Sequence, residues 1–342
     1  MTTATMPQLV LTAPGAAAWT DVPVPVLTGT GDALVRPVAV ATCDLDTAVN
    51  VGRFPLALPY ALGHEFVAEV VAVAPDVAAV RPGDVVAVPF QISCGTCAAC
   101  RRGLTSDCTS VAPRSMYGLG QLGGDWGGAV SDLVRVPFAD AMLVPLPPGV
   151  EPAVVASLDN LPDAWRTVGP YLDGARDPRV LIVGGLSIGL YAVAIARALG
   201  ADVTYVDGSV AGLTIAERLG ATVVERDEAL RAGRGLGRFP VTVNTGATAE
   251  GLRLALGSLE PGGVCTDTGI FRDDVALPLG AMYTTGITFV TSRVAARRDI
   301  PAVLALVAAG RLDPAVVTAT AAGWDDAPAA WSGHRAKLVL TR

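Results

Sequence analysis

The fifteen residues from Cys94 to Cys108 constrain this chain more than any other stretch. They hold Cys94, Cys97, Cys100 and Cys108, four of its six cysteines, in the order C-x2-C-x2-C-x7-C. Four thiolates satisfy one tetrahedral zinc, and two-residue gaps let neighbouring sulfurs reach a single ion. A disulfide cluster, or a set of free thiols in a loop, is the competing reading. Nothing else in the chain looks secreted, so zinc is the expectation. A closed four-sulfur site is structural. It predicts a small lobe over about 94–108 and leaves the chemistry to other residues.

Composition narrows the rest. A chain of 342 residues suggests two domains, and 51% hydrophobic residues supply a large core. Only 17% of residues are charged, with a net charge of −7, which argues against a nucleic-acid partner. No basic side chain precedes Arg36, so a secretory signal is not expected. No apolar run reaches about 18 residues without a charge or proline, so no membrane partner is expected either. These features predict a soluble, cytoplasmic protein.

From Gln8 to about Pro148 the sequence is rich in valine and broken about every eight to twelve residues by proline or glycine. Residues Ala33–Val40, Glu65–Ala74 and Asp84–Val88 read as short strands of an irregular β domain. Cys43 follows the first of these, His64 opens the second, and Asp159 stands at the start of a helical stretch. A thiolate, an imidazole and a carboxylate make a plausible open zinc site. Each also has a plainer explanation. Cys43 suits a core, His64 a turn, and Asp159 a helix cap ahead of Asn160-Leu161-Pro162.

The middle of the chain reads differently. Arg179–Val183 is a buried strand, followed by Gly184-Gly185-Leu186-Ser187-Ile188-Gly189 and an apolar helix over Leu190–Leu199. Asp202–Val206 is a second strand, closed by Asp207. Strand, glycine turn, helix, strand and acid form the dinucleotide-binding unit of a doubly wound parallel sheet. Asp207 suits ribose hydroxyls, and no arginine follows it directly, so NAD(H) is favoured over NADP(H). Leu186 replaces the middle glycine of G-x-G-x-x-G, the one that lets the backbone approach the pyrophosphate. The strands Val241–Gly246 and Gly263–Gly269 end in small residues, placing Thr245 and Gly269 where a cofactor crosses strand ends. Ile287–Thr291, a helix over Pro301–Ala309 and a short strand over Lys337–Thr341 close the chain. Cys265 reads as inert core.

Taken together, the cysteine lobe, Gly63-His64-Glu65, Arg81-Pro82-Gly83-Asp84 and the mid-chain nucleotide unit resemble the zinc-dependent medium-chain dehydrogenase/reductase family, alcohol dehydrogenase type. The likeness covers nearly the whole chain. It implies an α/β architecture: a GroES-like β catalytic domain over 1–150 and 294–342, and a Rossmann domain over 151–293. It further implies that Cys43, His64 and Asp159 hold a catalytic zinc, with Glu65 a close carboxylate able to exchange onto it. An aspartate as third ligand looks like the formaldehyde dehydrogenase side of the family. By the same resemblance Asp46 orients a ligand imidazole or pairs with Arg293, and Arg293 lies near the cofactor phosphates. A surface or interdomain salt bridge is the alternative for both.

The chain also departs from the family. Leu45 stands where a serine or threonine usually carries the alcohol proton away from zinc, and Thr47 is a candidate replacement. Asp44 stands where relatives place a neutral or basic residue near the pyrophosphate, a contact costing about 1 kcal/mol if exposed. The resemblance implies a zinc- and nicotinamide-dependent oxidoreductase acting on a small molecule, an alcohol, aldehyde or ketone. The departures leave two other readings: a reductase for an aldehyde, iminium or activated alkene, and a catalytically silent scaffold. Trp126, Trp165 and Met116-Tyr117 are candidates for the substrate pocket, with ordinary packing as their alternative. A homodimer or homotetramer is expected by analogy, with its contact in the apolar 263–290 region.

Overall fold

A computed structural model of the chain describes residues 4–172, 174–176 and 178–342, the side chains of Leu186 and Arg234 excepted. The chain divides into two compact units. One comprises Met1–Pro162, Ala295–Ala309 and Thr318–Arg342; the other comprises Asp163–Val294 and Gly310–Val317.

In chain order the first unit contributes β1 (Thr5–Ala13), β2 (Ala16–Pro23), β3 (Ala33–Ala41), β4 (Tyr60–Ala61), β5 (Glu65–Val73), β6 (Val85–Val88), β7 (Val134–Val136) and β8 (Val144–Pro145). The second unit holds β9 (Arg179–Val183), β10 (Asp202–Asp207), β11 (Thr222–Glu225), β12 (Phe239–Asn244), β13 (Leu259–Asp267) and β14 (Thr288–Thr291). Then β15 (Thr320–Gly323) and β16 (Leu338–Thr341) return to the first.

The first unit is β-rich. A sheet of order β15-β16-β3-β5-β6-β8, with β7 also on β3, stands beside a smaller sheet of order β2-β1-β4. The β1–β2 hairpin was not among the expected strands. From Ala33 to Val38 the side chains of β3 alternate between buried and half-buried, as a strand with one covered face should, and Ala39, Val40 and Ala41 are all buried. Pro37 falls at a shift of register with β5, where a residue lacking an N–H is tolerated. Leu9, Leu62, Phe66, Val88, Tyr117 and Trp331 belong to the core of this unit.

Register decides what meets at the end of that sheet. Ala41 of β3 pairs with Glu65 of β5 on one side and with Val339 of β16 on the other, both antiparallel. Cys43, just past β3, His64, just before β5, and Lys337, just before β16, therefore emerge at one edge. The short helix Pro152–Val155 packs there through small residues, with Ala153 and Ala156 against Ala39, Ala41 and Val339. Only small side chains allow so close an approach, and it brings the segment 157–160 to the same edge.

In the second unit a parallel six-stranded sheet has the order β11-β10-β9-β12-β13-β14. That is the doubly wound order, with its switch point between β9 and β12. Val180, Leu181 and Ile182 of β9 are wholly buried, as a central parallel strand covered on both faces requires. The helix after β9 runs Leu186–Ala198, four residues earlier than the sequence suggested. Gly189 looks like turn material but lies inside this helix. A Cβ there would stand 2.5 Å from the Gly184 carbonyl oxygen, so packing selects the glycine. None of the helices over the described residues is long and apolar enough to cross a membrane.

Candidate metal and nucleotide sites

The lobe is built as its spacing predicted. The sulfurs of Cys94, Cys97, Cys100 and Cys108 all lie within 4.8 Å of one another, and none of the six cysteines is in a disulfide. Tetrahedral Zn–S bonds of about 2.3 Å place sulfurs roughly 3.8 Å apart, so this cluster fits one zinc. Local donors already favour thiolates. Cys97 N–H donates to Cys94 Sγ at 3.3 Å, Cys100 N–H to Cys97 Sγ at 3.5 Å, and Ser110 Oγ to Cys94 Sγ at 3.1 Å. The Cys100 and Thr109 hydrogen bonds pull the Cys97 thiol down to about 5. Burial, by contrast, pushes Cys100 up to about 12.

The second cluster assembles from three separate segments. Cys43, His64 and Asp159 each bring one ligand atom within 4.8 Å of the others. Cys43 caps the helix Asp44–Asn50 in a capping box. Its sulfur accepts from Leu45 N–H at 3.2 Å, and its own N–H donates to Asp46 Oδ2 at 2.8 Å. His64 is completely buried, yet neither ring nitrogen has a hydrogen-bond partner. Nε2 lies 3.7 Å from Asp159 Oδ2, and Nδ1 lies 3.8 Å from Asp46 Oδ2. Both distances exceed hydrogen-bond reach.

A wholly buried imidazole with two orphaned nitrogens is costly unless something else satisfies it. The donor set of sulfur, nitrogen and carboxylate oxygen fits a zinc with one open position. Nε2 faces the Asp159 side, while Nδ1 faces Asp46. Without metal the charges are held as protons. Burial, followed by the charges of Asp46, Asp159 and Glu65, keeps the Cys43 thiol well above its usual range. Burial alone would lower His64, but Asp46, Asp159 and Glu65 outweigh it and push it up to about 9.

Glu65 has other partners. Its Oε2 accepts from Ser157 Oγ at 2.9 Å and Lys337 Nζ at 3.0 Å, and its Oε1 accepts from the Asn160 N–H at 2.8 Å. The sequence offers no sign of a role for Ser157, and reads Asn160 only as part of a helix start and Lys337 only as the start of a strand. A lysine followed by alternating apolar residues carries no local sign of burial. Leu45, at the relay position, packs against the apolar core. Tyr117 is wholly buried, edge-on to Phe66, and its hydroxyl donates to the Arg135 carbonyl, so it is a packing residue. Trp126 is half-buried against the same core, and Trp165 is half-buried in the helix Asn160–Leu172.

At the switch point of the second unit, Gly184 has φ +93°, and a Cβ on it would lie 2.4 Å from the Gly246 nitrogen. The turn after β9 and the turn after β12 thus touch backbone to backbone. Thr245 Oγ1 donates to the Gly184 carbonyl at 2.8 Å and closes this contact. Gly185 caps the helix with no side-chain hydrogen bond, and Ser187 and Ile188 lie in its first turn. The N–H groups of that turn suit an anion. The Leu186 side chain lies outside the described residues. Asp207 accepts from Tyr205 Oη at 3.0 Å and from Ser209 N–H at 3.2 Å. The Arg226 guanidinium carbon stands 3.2 Å from where Gly208 would carry a Cβ. An arginine thus neighbours the loop after Asp207, although it comes from the end of β11 and not from the adjoining sequence. Gly269 follows β13, and Arg293 is exposed just past β14. Asn244 and Asp267 are buried at the ends of β12 and β13 and joined by a 2.5 Å hydrogen bond.

An α/β chain with a GroES-like β unit, a four-cysteine lobe and a doubly wound sheet defines a zinc-type dehydrogenase, and the comparisons agree. Residues 29–148 match the alcohol dehydrogenase GroES-like domain, and residues 187–309 match the zinc-binding dehydrogenase domain. A medium chain reductase/dehydrogenase from an Acremonium species is 30% identical over 76% of this chain and 91% of its own. A glutathione-independent formaldehyde dehydrogenase of Bacillus subtilis is 35% identical over 51% of this chain, a match spanning 44% of that relative. The alcohol dehydrogenase TADH from Thermus sp. ATN1 superposes with a TM-score of 0.89 at 30% identity, covering 98% of this chain and 99% of its own. The chain belongs to the zinc-type medium-chain dehydrogenase/reductase family, as an oxidoreductase of its alcohol dehydrogenase type. Family and cysteine cluster together point to zinc and a nicotinamide cofactor.

Proposed function

We propose that the protein transfers a hydride between NAD(H) and a small alcohol, aldehyde or ketone at a zinc held by Cys43, His64 and Asp159. The observation that carries this reading is the buried His64, whose two unpartnered nitrogens stand between Asp159 and Asp46. Zinc bound there supplies a Lewis acid for the substrate oxygen, and the nicotinamide supplies or accepts the hydride. The chain's own residues do the rest. Cys43 and His64 give up their protons to bind the ion beside the Asp159 carboxylate, and Asp46 keeps the His64 ring in orientation. Leu45 offers no hydroxyl, so the substrate proton leaves by another route, through Thr47 or water. The retained ligand trio speaks against a silent scaffold.

The test is zinc per chain on protein purified without added metal, beside Asp159→Ala. Two zincs in the wild type and one in the variant are expected. One zinc in both would sink the proposal. A substrate series run in both directions then separates alcohol oxidation from a purely reductive role.

Asp207 at the end of β10 favours NAD(H), since a carboxylate pairs with ribose hydroxyls and repels a 2′-phosphate. NADH is therefore expected to titrate more tightly than NADPH, with Asp207→Ala narrowing the ratio and Arg226→Ala widening it. Equal affinity for the two in the wild type would contradict this assignment. Self-association completes the proposal. β14 is an edge of the parallel sheet, and Ile270, Leu279 and Tyr283, between β13 and β14, are exposed.

A further inference from the structure

The three metal-ligand candidates lie far apart in sequence, but a sequence neighbour of each is bonded to one ammonium. Thr42 immediately precedes Cys43, Glu65 follows His64, and Asn160 follows Asp159. Lys337 Nζ donates to the Thr42 carbonyl, to Glu65 Oε2 at 3.0 Å, to Asn160 Oδ1 at 2.7 Å and to Ser157 Oγ at 2.7 Å. Lys337 and Glu65 are both buried, with side chains 1% and 0% exposed. An ammonium has three protons, and four acceptors surround this one, so its bonding capacity is filled. A buried charge persists only where it is paired and hydrogen-bonded. This one is paired where the ends of β3, β5 and β16 meet the segment 157–160.

We propose that Lys337 is a positioning residue for the metal centre. It sets the spacing of the three ligand-bearing segments and holds Glu65 away from the ion. The inference rests on the reading of Cys43, His64 and Asp159 as a zinc site. Both Glu65 oxygens are occupied: Oε2 by Lys337 and Ser157, and Oε1 by the N–H groups of Asp159, at 3.3 Å, and Asn160. Glu65 thereby pins the backbone of the third ligand and does not compete for the open position. The exchange onto zinc implied by family resemblance is blocked in this chain as long as Lys337 is present.

The experiment uses the intact zinc-loaded chain with Lys337→Met, the charge-neutral pair Lys337→Met with Glu65→Gln, and Ser157→Ala. Zinc release to a chelator is followed for both sites, and cobalt is substituted at the three-ligand site to read its coordination by absorption. The four-cysteine lobe is the internal control for folding. In the double variant the lobe should keep its zinc, while the other site releases zinc about 10–100-fold faster than wild type. In Lys337→Met the freed Glu65 should alter the cobalt bands, and adding Glu65→Gln should remove that alteration. Should Lys337→Met fail to fold, Ser157→Ala, which removes one bond and no charge, should still release zinc about tenfold faster. Release within about twofold of wild type in the double variant and in Ser157→Ala would overturn the proposal. A wild type holding only the lobe zinc would instead overturn the underlying site reading, and it needs no variant to be seen.

Discussion

His64 shows how a single residue reports on the whole centre. In the metal-free protein its pKa is pushed up to about 9 by Asp46, Asp159 and Glu65 acting against burial. A raised folded-state pKa means the native protein binds the proton more tightly than the unfolded chain. The associated stability is fully present below the unfolded value of about 6.5 and is lost as pH rises through about 9, with an upper bound near 3 kcal/mol. Cys43 is also shifted upward and adds to the loss at the alkaline end. Metal-free protein should therefore melt at a higher temperature at pH 6 than at pH 9. Zinc holds both groups deprotonated, so the loaded protein should bind its metal more tightly as pH rises and lack this decline. Parallel melts that fell equally with pH, with and without zinc, would contradict the assignment of His64 as a ligand.

At the scale of elements, the turn joining β9 to its helix is the most demanding piece of the second unit. Gly184 combines φ +93° with a position where a Cβ would lie 2.4 Å from the Gly246 backbone nitrogen. Gly184→Ala adds left-handed strain to a clash with backbone that cannot rotate aside, and should cost about 3 kcal/mol. It should also weaken nucleotide binding, because the helix N-terminus moves with the turn. Chemical denaturation together with a cofactor titration would check this, and a stability within about 0.5 kcal/mol of wild type would refute it. The same turn explains why a glycine lies inside the helix that follows it: a Cβ on Gly189 would stand 2.5 Å from the Gly184 carbonyl oxygen. The sequence pattern alone put Gly189 in the turn, because the carbonyl it must clear belongs to Gly184 and is visible only in three dimensions.

For the molecule as a whole, β14 leaves backbone groups at a sheet edge, and edges of this kind are usually paired or protected. Tyr283 is 89% exposed and Leu279 66%, on the segment leading to that edge. Sedimentation should find two or more chains per particle, and Tyr283→Lys should shift the distribution toward single chains. A wild type that sediments as one chain at every concentration tested would remove self-association from the functional proposal.

What the sequence determined by itself was held within short spans of chain. The cysteine spacing in 94–108 specified a four-sulfur lobe because two-residue gaps alone bring sulfurs together. The succession from Arg179 to Asp207 specified the nucleotide unit because strand, turn and helix follow from local pattern. Cys43, His64 and Asp159 could be named singly, but spacing offered no reason for them to meet; resemblance supplied that expectation. The tertiary structure decided the meeting through the register of β3 with β5 and β16 and the small-residue approach of the segment after Pro152–Val155. It also decided what no pattern could show: that Lys337 is buried among the neighbours of all three candidate ligands, and that Arg226 stands beside the loop after Asp207. Both depend on contacts between segments far apart in the chain, and such contacts are fixed only once the strands have chosen their partners.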